Sequence, residues 1–413
     1  MSADLVLEDA RLPGTESTTT VGISDGEIDA VGDGLDGDAS IDAGGGLVTG
    51  GFVDCHVHLD KAFIAESLPP NESGTLREAI ENIHARKAEY TVGDVRDRAI
   101  EAIEAHVRRG CTRIRTHVDV DPIGGLTPLD GVAAARDACR DIAEVQIVAF
   151  PQEGIEQAPG TADLLAEALA GEADLIGGMP DNERTAGATR THVDRCLDLA
   201  REHDVDVDMH VDETDDPSAR SLEYLAAETI DRGIEGRVTA GHTCALAAYD
   251  DPHASRVIDL VRRADLRMVT NPPTNLLLQG RADTHPKRRG ITRVDELLEA
   301  GLVVAAGQDC LADGFYPYGR ASMLETGLLT AHAAHLQTPG ERDRVWSMIT
   351  DAPAAIMGVD HGLEVGAPAT LNVFDPAIQS RSEALRLGRP PTTVIHEGDV
   401  VATADRRSTL HRS

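Results

Sequence analysis

An alternation through the middle of the chain limits what it can fold into more than any other feature. Eight short apolar, strand-like runs lie at residues 52–58, 113–118, 145–150, 175–179, 205–211, 237–242, 266–271 and 302–309. Amphipathic helical stretches separate them, among them 76–90, 92–109, 162–170, 193–202, 254–263 and 293–300. Such repeats bury a parallel sheet under helices, and eight units over roughly 290 residues suit a (β/α)8 TIM-like barrel, whose usual size is about 250 residues. A doubly wound open sheet is the rival arrangement. The count of eight disfavours it, as does the lack of a G-x-G-x-x-G stretch after any of the eight runs. The two chain ends read differently, as short alternating strands with Gly- and Asp-rich turns (5–7, 20–23 and 27–31; 369–374, 392–395 and 400–403). Neither end is long enough to make a core alone. The expected organisation is therefore α/β: a small β-domain from residues 1–48 and 355–413, beside a barrel over 49–354.

Composition narrows the function classes. Of 413 residues, 71 are Asp or Glu and 38 are Lys or Arg, a formal charge of −33. A field this negative repels nucleic acid phosphates and anionic lipid, so neither is expected as a partner. It is compatible with neutral or cationic small ligands. Only three lysines occur, Lys61, Lys87 and Lys287. A dense carboxylate surface with little lysine reads as halophilic adaptation, in which salt screens the self-repulsion. No apolar run approaches 18 residues and the N-terminus lacks a basic and apolar leader, so a cytoplasmic location is expected. Six cysteines without a C-x-x-C pair are expected to be small buried hydrophobes rather than a disulfide framework.

In a barrel of this type the chemistry sits at the C-terminal ends of the strands. The residues falling there are His56-Val-His58, Phe150-Pro-Gln152-Glu153, His210-Val-Asp-Glu213, Gly241-His242-Thr243 and Gln308-Asp309. Two imidazoles two apart on a strand share a face and suit a divalent metal such as Zn²⁺ or Fe²⁺. His210 offers a third imidazole, and Asp309 an anionic oxygen that can also take a proton from water. His242 either completes the ligand set or hydrogen-bonds the water. Glu213, where the chain leaves its strand, is placed to shuttle protons. By the same alternation Cys55 is expected to point away from the two histidines and to pack. Apart from Lys61 no lysine lies near a strand end to bridge two metals, so one metal per chain is expected. His117 reads as a supporting hydrogen-bonding histidine, and His84, His106, His192 and the remaining histidines as residues without a role in the site.

Several stretches make the sequence resemble the cytosine deaminase family of the amidohydrolase superfamily. They are Gly51-Phe-Val-Asp-Cys-His-Val-His-Leu-Asp, Arg115-Thr-His-Val-Asp-Val, Gln146-Ile-Val-Ala-Phe-Pro-Gln-Glu-Gly-Ile, His210-Val-Asp-Glu, Thr239-Ala-Gly-His-Thr, and Leu278 to Arg293 with its Pro-Lys-Arg-Arg-Gly-Ile-Thr-Arg end. The resemblance implies that His56, His58, His210 and Asp309 bind the metal, zinc or iron. It makes Glu213 and His242 the catalytic pair, sets Gln152 against the pyrimidine edge, and implies a homo-oligomer. The basic run from Pro286 to Arg293 then reads as a loop ordering the mouth. Two positions depart from the pattern. Cys310 stands where such deaminases carry an acid after the strand-eight aspartate, and Phe315 where they carry a tryptophan. Both border the pocket, which should be roomier and less negative as a result.

The expected activity is hydrolytic deamination of an aminated heterocycle, cytosine to uracil and ammonia being the best single choice. Isoguanine, creatinine, a triazine or a hydantoin-like cyclic amide are the alternatives within that machinery, and a catalytically silent metal-binding scaffold is the alternative outside it. A scaffold has no need of an acid at Glu213. The charge carries its own expectation: if it is an adaptation to salt, the melting temperature rises steadily from low salt to molar KCl. Equal stability at both extremes would count against that reading.

Overall fold

Eight parallel strands form a single sheet in a computed structural model of the chain, which describes residues 2–73, 76–405 and 409–411. They are β1 (Phe52–Val57), β2 (Cys111–Asp119), β3 (Glu144–Phe150), β4 (Leu175–Ile176), β5 (Val207–Val211), β6 (Val238–His242), β7 (Arg267–Thr270) and β8 (Val304–Ala306). Each pairs in parallel with the next. The sheet closes at its mouth through a bridge between Val57 and Asp309. There Asp309 N–H donates to His56 O at 2.8 Å, and His58 N–H donates to Asp309 O at 3.0 Å. The (β/α)8 reading therefore holds. The strands are buried along almost their whole length, as befits a parallel sheet covered on both faces.

Local sequence explains the helices around it. Helix Asp251–Arg263 buries Ala254, Val257, Ile258 and Val261, one stripe of the 3.6-residue period, and Asp250 caps it by accepting the His253 N–H. Helix Val92–Val107 starts on Thr91, whose hydroxyl accepts the Asp94 N–H. The expected runs at 175–179 and 302–309 contract to Leu175–Ile176 and Val304–Ala306, and a glycine follows each. At Gly307 a Cβ would lie 2.7 Å from His56 Cβ and 2.6 Å from Asn271 Oδ1, so only glycine lets β8 pass that close to β1. At the opposite end of the barrel, helix Asp351–Met357 acts as a plug. Its Ile356 carbonyl accepts from Arg115 and Arg267, both at 3.1 Å, and its Met357 carbonyl accepts from Gln146 at 3.0 Å.

The chain ends form two four-stranded sheets. One contains Ala3–Ala10, Thr19–Ser24, Glu27–Gly32 and Gly37–Asp42; the other joins Val48–Gly50 to Leu371–Val373, Thr393–His396 and Asp399–Thr403. A shared apolar cluster unites them, with Leu7, Val21, Ile23 and Ile28 meeting Val48, Ala369, Leu371 and Ile395. Among the described residues, no helix is long and apolar enough to cross a membrane.

Candidate active site

Strand β1 does not alternate simply. Between Asp54 and Val57 its register against β2 slips by one residue, a bulge pinned by Asp54. The Asp54 Oδ1 accepts the N–H groups of His56 (3.3 Å) and Gln308 (3.2 Å), while its Oδ2 meets His106 Nε2 at 3.1 Å. The bulge overrides the alternation expected for Cys55. That thiol packs with Val53, Val269, Ala305 and Ile356 beneath the mouth, and the next side chain, His56, joins the histidines. Cys55 is thus a packing residue, though alternation is not the reason.

Five imidazoles, from His56, His58, His117, His210 and His242, crowd the mouth. The ring of His56 lies 4.2 Å from His117, 4.6 Å from His210, 4.9 Å from His242 and 5.8 Å from His58, centroid to centroid. Burial, followed by repulsion from the neighbouring imidazoles, holds His56 and His210 well below the usual histidine range. Burial, then the Lys61 charge, brings His58 down to about 4. These rings are neutral and present lone pairs. His58 Nδ1 is satisfied by His117 O at 3.0 Å, which turns its Nε2 toward Asp309 Oδ1 at 3.4 Å. Both nitrogens of His56, Nε2 of His210 and Oδ2 of Asp309 are buried without a hydrogen-bond partner. Orphaned acceptors on neutral imidazoles beside a carboxylate fit a divalent cation, and ligand atoms of His56, His58 and Asp309 lie within 4.8 Å of one another, as do those of His56, His210 and His242.

Next to this cluster stands the proton-handling group. Glu213 Oε1 lies 3.2 Å from His242 Nδ1 and accepts from Asn275 Nδ2 at 3.1 Å; its Oε2 lies 3.3 Å from His210 Nδ1. Burial pushes its carboxyl up to about 7, against the pull of His242 and with the help of the Asp309 charge. His242 is held at both nitrogens, Nδ1 by Asn275 Oδ1 and Nε2 by Asn271 Nδ2, each at 3.1 Å. Two of these residues sit in strained backbone, His242 at φ 67° and Asp309 at φ 65°.

A cavity of about 620 Å³ opens from the site. His58, His210, Glu213, Asp309, Gln152, Cys310 and Phe315 all line it, so seven sequence-selected residues share one space. His56 and His242 lie just beneath, fully buried. Cys310 is buried with its Sγ 3.8 Å from Asp309 Oδ1, and Phe315 is half-buried. Asp119 and Glu153 also line the cavity, but their charge is matched. Lys61 Nζ lies 2.7 Å from Asp119, and Lys87 Nζ lies 2.8 Å from Asp119, 2.6 Å from Asp121 and 3.0 Å from Glu153. His84, set aside in the sequence reading, pairs with Glu153 at 2.8 Å on the cavity wall. His117 lies inside β2 rather than at its end, and its Nε2 contacts Asp208 Oδ1 at 3.2 Å. The basic Pro286–Arg293 run is spent internally: Arg288 on Asp283 at 2.9 Å, Arg289 on the His332 and Ala333 carbonyls, Arg293 on Tyr249 O at 2.8 Å. Asn271, Asn275 and the lysine network were missed. Asn271 follows β7, so a full census of strand ends reaches it; Lys61 stands beside the H-x-H stretch but its partners have no local signal, and nothing in the sequence flags Asn275.

An H-x-H strand, two further strand-end histidines and an aspartate after β8, gathered in the mouth of a (β/α)8 barrel, define a metal-centre hydrolase. The comparisons agree: the amidohydrolase family model matches residues 39–402, and the chain belongs to that family. It is accordingly an enzyme. Among solved structures, 5-methylcytosine deaminase from Klebsiella pneumoniae liganded with 5-fluorocytosine is similar, at TM-score 0.93 and 36% identity over 98% of this chain and 99% of that one. Among curated relatives, a pterin deaminase of Rhizobium rhizogenes is 33% identical over 88% of this chain and 82% of its own. An N-isopropylammelide isopropyl amidohydrolase of Pseudomonas sp. strain ADP is 30% identical over 90% and 91%.

The orphaned His56 nitrogens give a direct test. Replacing His56 by Ala should strip most of the divalent metal from the purified protein, measured by elemental analysis, with an unchanged circular dichroism spectrum. Full retention of metal would remove His56 from the ligand set.

Proposed function

We propose that the enzyme hydrolyses an exocyclic amino group from a heterocyclic ring, with cytosine as the reference substrate, at a single zinc or iron held by His56, His58, His210 and Asp309. The observation that carries this reading is Glu213: a carboxyl raised to about 7 on the cavity wall, within reach of both His242 and the metal cluster. A divalent cation held there by His56, His58, His210 and Asp309 would lower the pKa of water to about 7. Asp309 accepts the proton of the attacking water, and His242, held at both nitrogens by Asn275 and Asn271, stands beside it as a fixed polar wall. Glu213, protonated near neutrality, donates to the ring nitrogen, which makes the neighbouring carbon electrophilic, and then helps protonate the departing ammonia. Gln152, which lines the same cavity, orients the ring. Asn271 and Asn275 keep the His242 ring from turning.

The single-metal count rests on Lys61, the one lysine near a strand end, whose ammonium is tied to Asp119 and Gln152. We also propose a cytoplasmic homo-oligomer that takes a small heterocycle and neither nucleic acid nor membrane. Sedimentation and elemental analysis test the assembly and the metal count; two metals per chain would refute the latter. A larger substrate is the second reading, favoured by the size of the cavity and by its apolar wall of Ile80, Ile83, Met179, Leu278 and Phe315.

Ammonia release across a panel of cytosine, 5-methylcytosine, isoguanine, creatinine, aminotriazines and pterins discriminates these readings; no release from any metal-loaded sample would leave the cyclic-amide hydrolase and the silent scaffold, which ring-opening of a hydantoin separates. Within that assay Glu213→Gln keeps the shape but removes the titrating group. Turnover should drop by about 10²–10⁴, the usual worth of a positioned acid–base. The decline of rate as pH rises through about 7 should vanish with it, because the acid form is the donor. Unchanged turnover and pH profile would show that the role is misassigned. A second variant addresses selectivity: Cys310→Asp should improve cytosine relative to larger rings by about 5- to 150-fold, the worth of one otherwise unpaired buried polar group. If the wild type already strongly prefers cytosine and the variant weakens that preference, the pocket argument fails.

A further inference from the structure

Lysine is almost absent from this chain, yet two of its three lysines are fully buried beside the cavity, and only Lys287 is exposed. Lys87 belongs entirely to acids, being bound by Asp119, Asp121 and Glu153. Lys61 does not. Its ammonium donates to Asp119 Oδ1 at 2.7 Å and, at 3.1 Å, to the side-chain carbonyl oxygen of Gln152. A carboxamide has an accepting end and a donating end, and which end faces the substrate decides what the substrate must present. An ammonium has donors only. The reverse orientation of Gln152 would set its NH₂ against the Lys61 NH₃⁺, donor against donor in a dry site, so the network permits one orientation. No protein acceptor among the described residues takes the Gln152 Nε2, and Gln152 lines the cavity. Asp119, shared between both lysines, anchors Lys61 in turn.

We propose that Lys61 is a positioning residue: it locks the Gln152 carboxamide with its NH₂ toward the substrate, so that the pocket selects rings bearing a carbonyl or other acceptor at that edge. This rests on the reading of Gln152 as the substrate-orienting group and adds the polarity of the group it recognises. The ammonium acts through Gln152, not on the ring.

Calorimetric binding to the metal-loaded enzyme tests it, using two pairs of rings that differ in the carbonyl and the ring N–H that accompanies it: cytosine against 4-aminopyrimidine, and isoguanine against adenine. The wild type should bind the carbonyl member of a pair about 10- to 100-fold more tightly. Lys61→Met should bring that ratio to within about 3-fold, since the amide is then free to turn. Gln152→Ala should do the same, and adding Lys61→Met to Gln152→Ala should change the ratio no further. A preserved ratio in Lys61→Met overturns the proposal, as does a further loss in the double variant, which would mean that the ammonium touches the ring itself. Should Lys61→Met fail to fold, Gln152→Glu decides: it keeps the bond to Lys61, removes the N–H donors and should lose the carbonyl preference, whereas a retained preference overturns the proposal. The deaminase reading fails separately, through absence of ammonia from every ring. A wild type that binds no member of either pair overturns the proposal and leaves the deaminase reading to the ammonia panel.

Discussion

Two backbone hydrogen bonds hold the site together, those that Asp309 makes with β1. Its N–H reaches His56 O at 2.8 Å and its carbonyl receives His58 N–H at 3.0 Å. The bonds close the barrel, and they also set the Asp309 carboxylate 3.4 Å from His58 Nε2 and 3.8 Å from His56 Nε2. Sheet closure and ligand assembly are one event in this fold. The φ of 65° at Asp309 is part of the same geometry, since the chain must turn sharply out of β8 to present the carboxylate inward. A non-glycine residue there costs of order 1–3 kcal/mol, which the closing bonds and the buried surroundings hold in place.

The same burial sets the protonation states of two kinds of group in opposite directions. It penalises charge, so it drives the clustered imidazoles toward neutral and the Glu213 carboxyl toward its acid form. Neutral imidazoles are ligands, and a carboxylic acid near neutrality is a proton donor. One physical cause thus prepares a metal-binding face and an acid face within a single pocket. The two meet at His242, which is within reach of Glu213 on one nitrogen and fixed by Asn271 on the other. Asp309 runs the other way: the bond to His58 and the neighbouring imidazoles outweigh its burial and hold its carboxyl below the usual carboxylate range.

Much of this was legible from strand ends. The alternation of runs and helices supplied the barrel, and inward-facing residues at the ends of β1, β5, β6 and β8 gave the groups that converge. What stayed hidden depends on geometry that spacing does not carry. The Asp54 bulge breaks the period of two in β1, so alternation misplaces Cys55 relative to His56. Asn275 sits one turn into helix Pro272–Leu278, and only the approach of that helix to β6 brings it to His242. His84 lies on helix Leu76–Lys87, far in sequence from the Glu153 it meets. Lys61 is adjacent to the H-x-H stretch and plain to see, but its role depends on Asp119 and Gln152, from β2 and the loop after β3. Contacts between strands that are distant in sequence leave no local signature.

The unequal use of the two basic side chains follows from what each position must contact. At the far end of the barrel Arg115 and Arg267 share the Ile356 carbonyl, and Arg115 also reaches Asp208 at 2.9 Å and Gln146 at 2.9 Å. A planar fork of five donors suits oxygens spread in one plane. Lys87 faces a different arrangement, with three carboxylates converging on a single nitrogen at 2.6–3.0 Å. A compact ammonium with three donors fits that point, and a guanidinium does not. Lys61 likewise ends in one atom serving two acceptors, Asp119 on β2 and Gln152 in the loop after β3. Whatever favoured arginine over lysine across the chain therefore met a geometric limit at these two sites. Lysine persists where a convergent set of oxygens leaves room for only one nitrogen, and both places border the cavity where the substrate must be read.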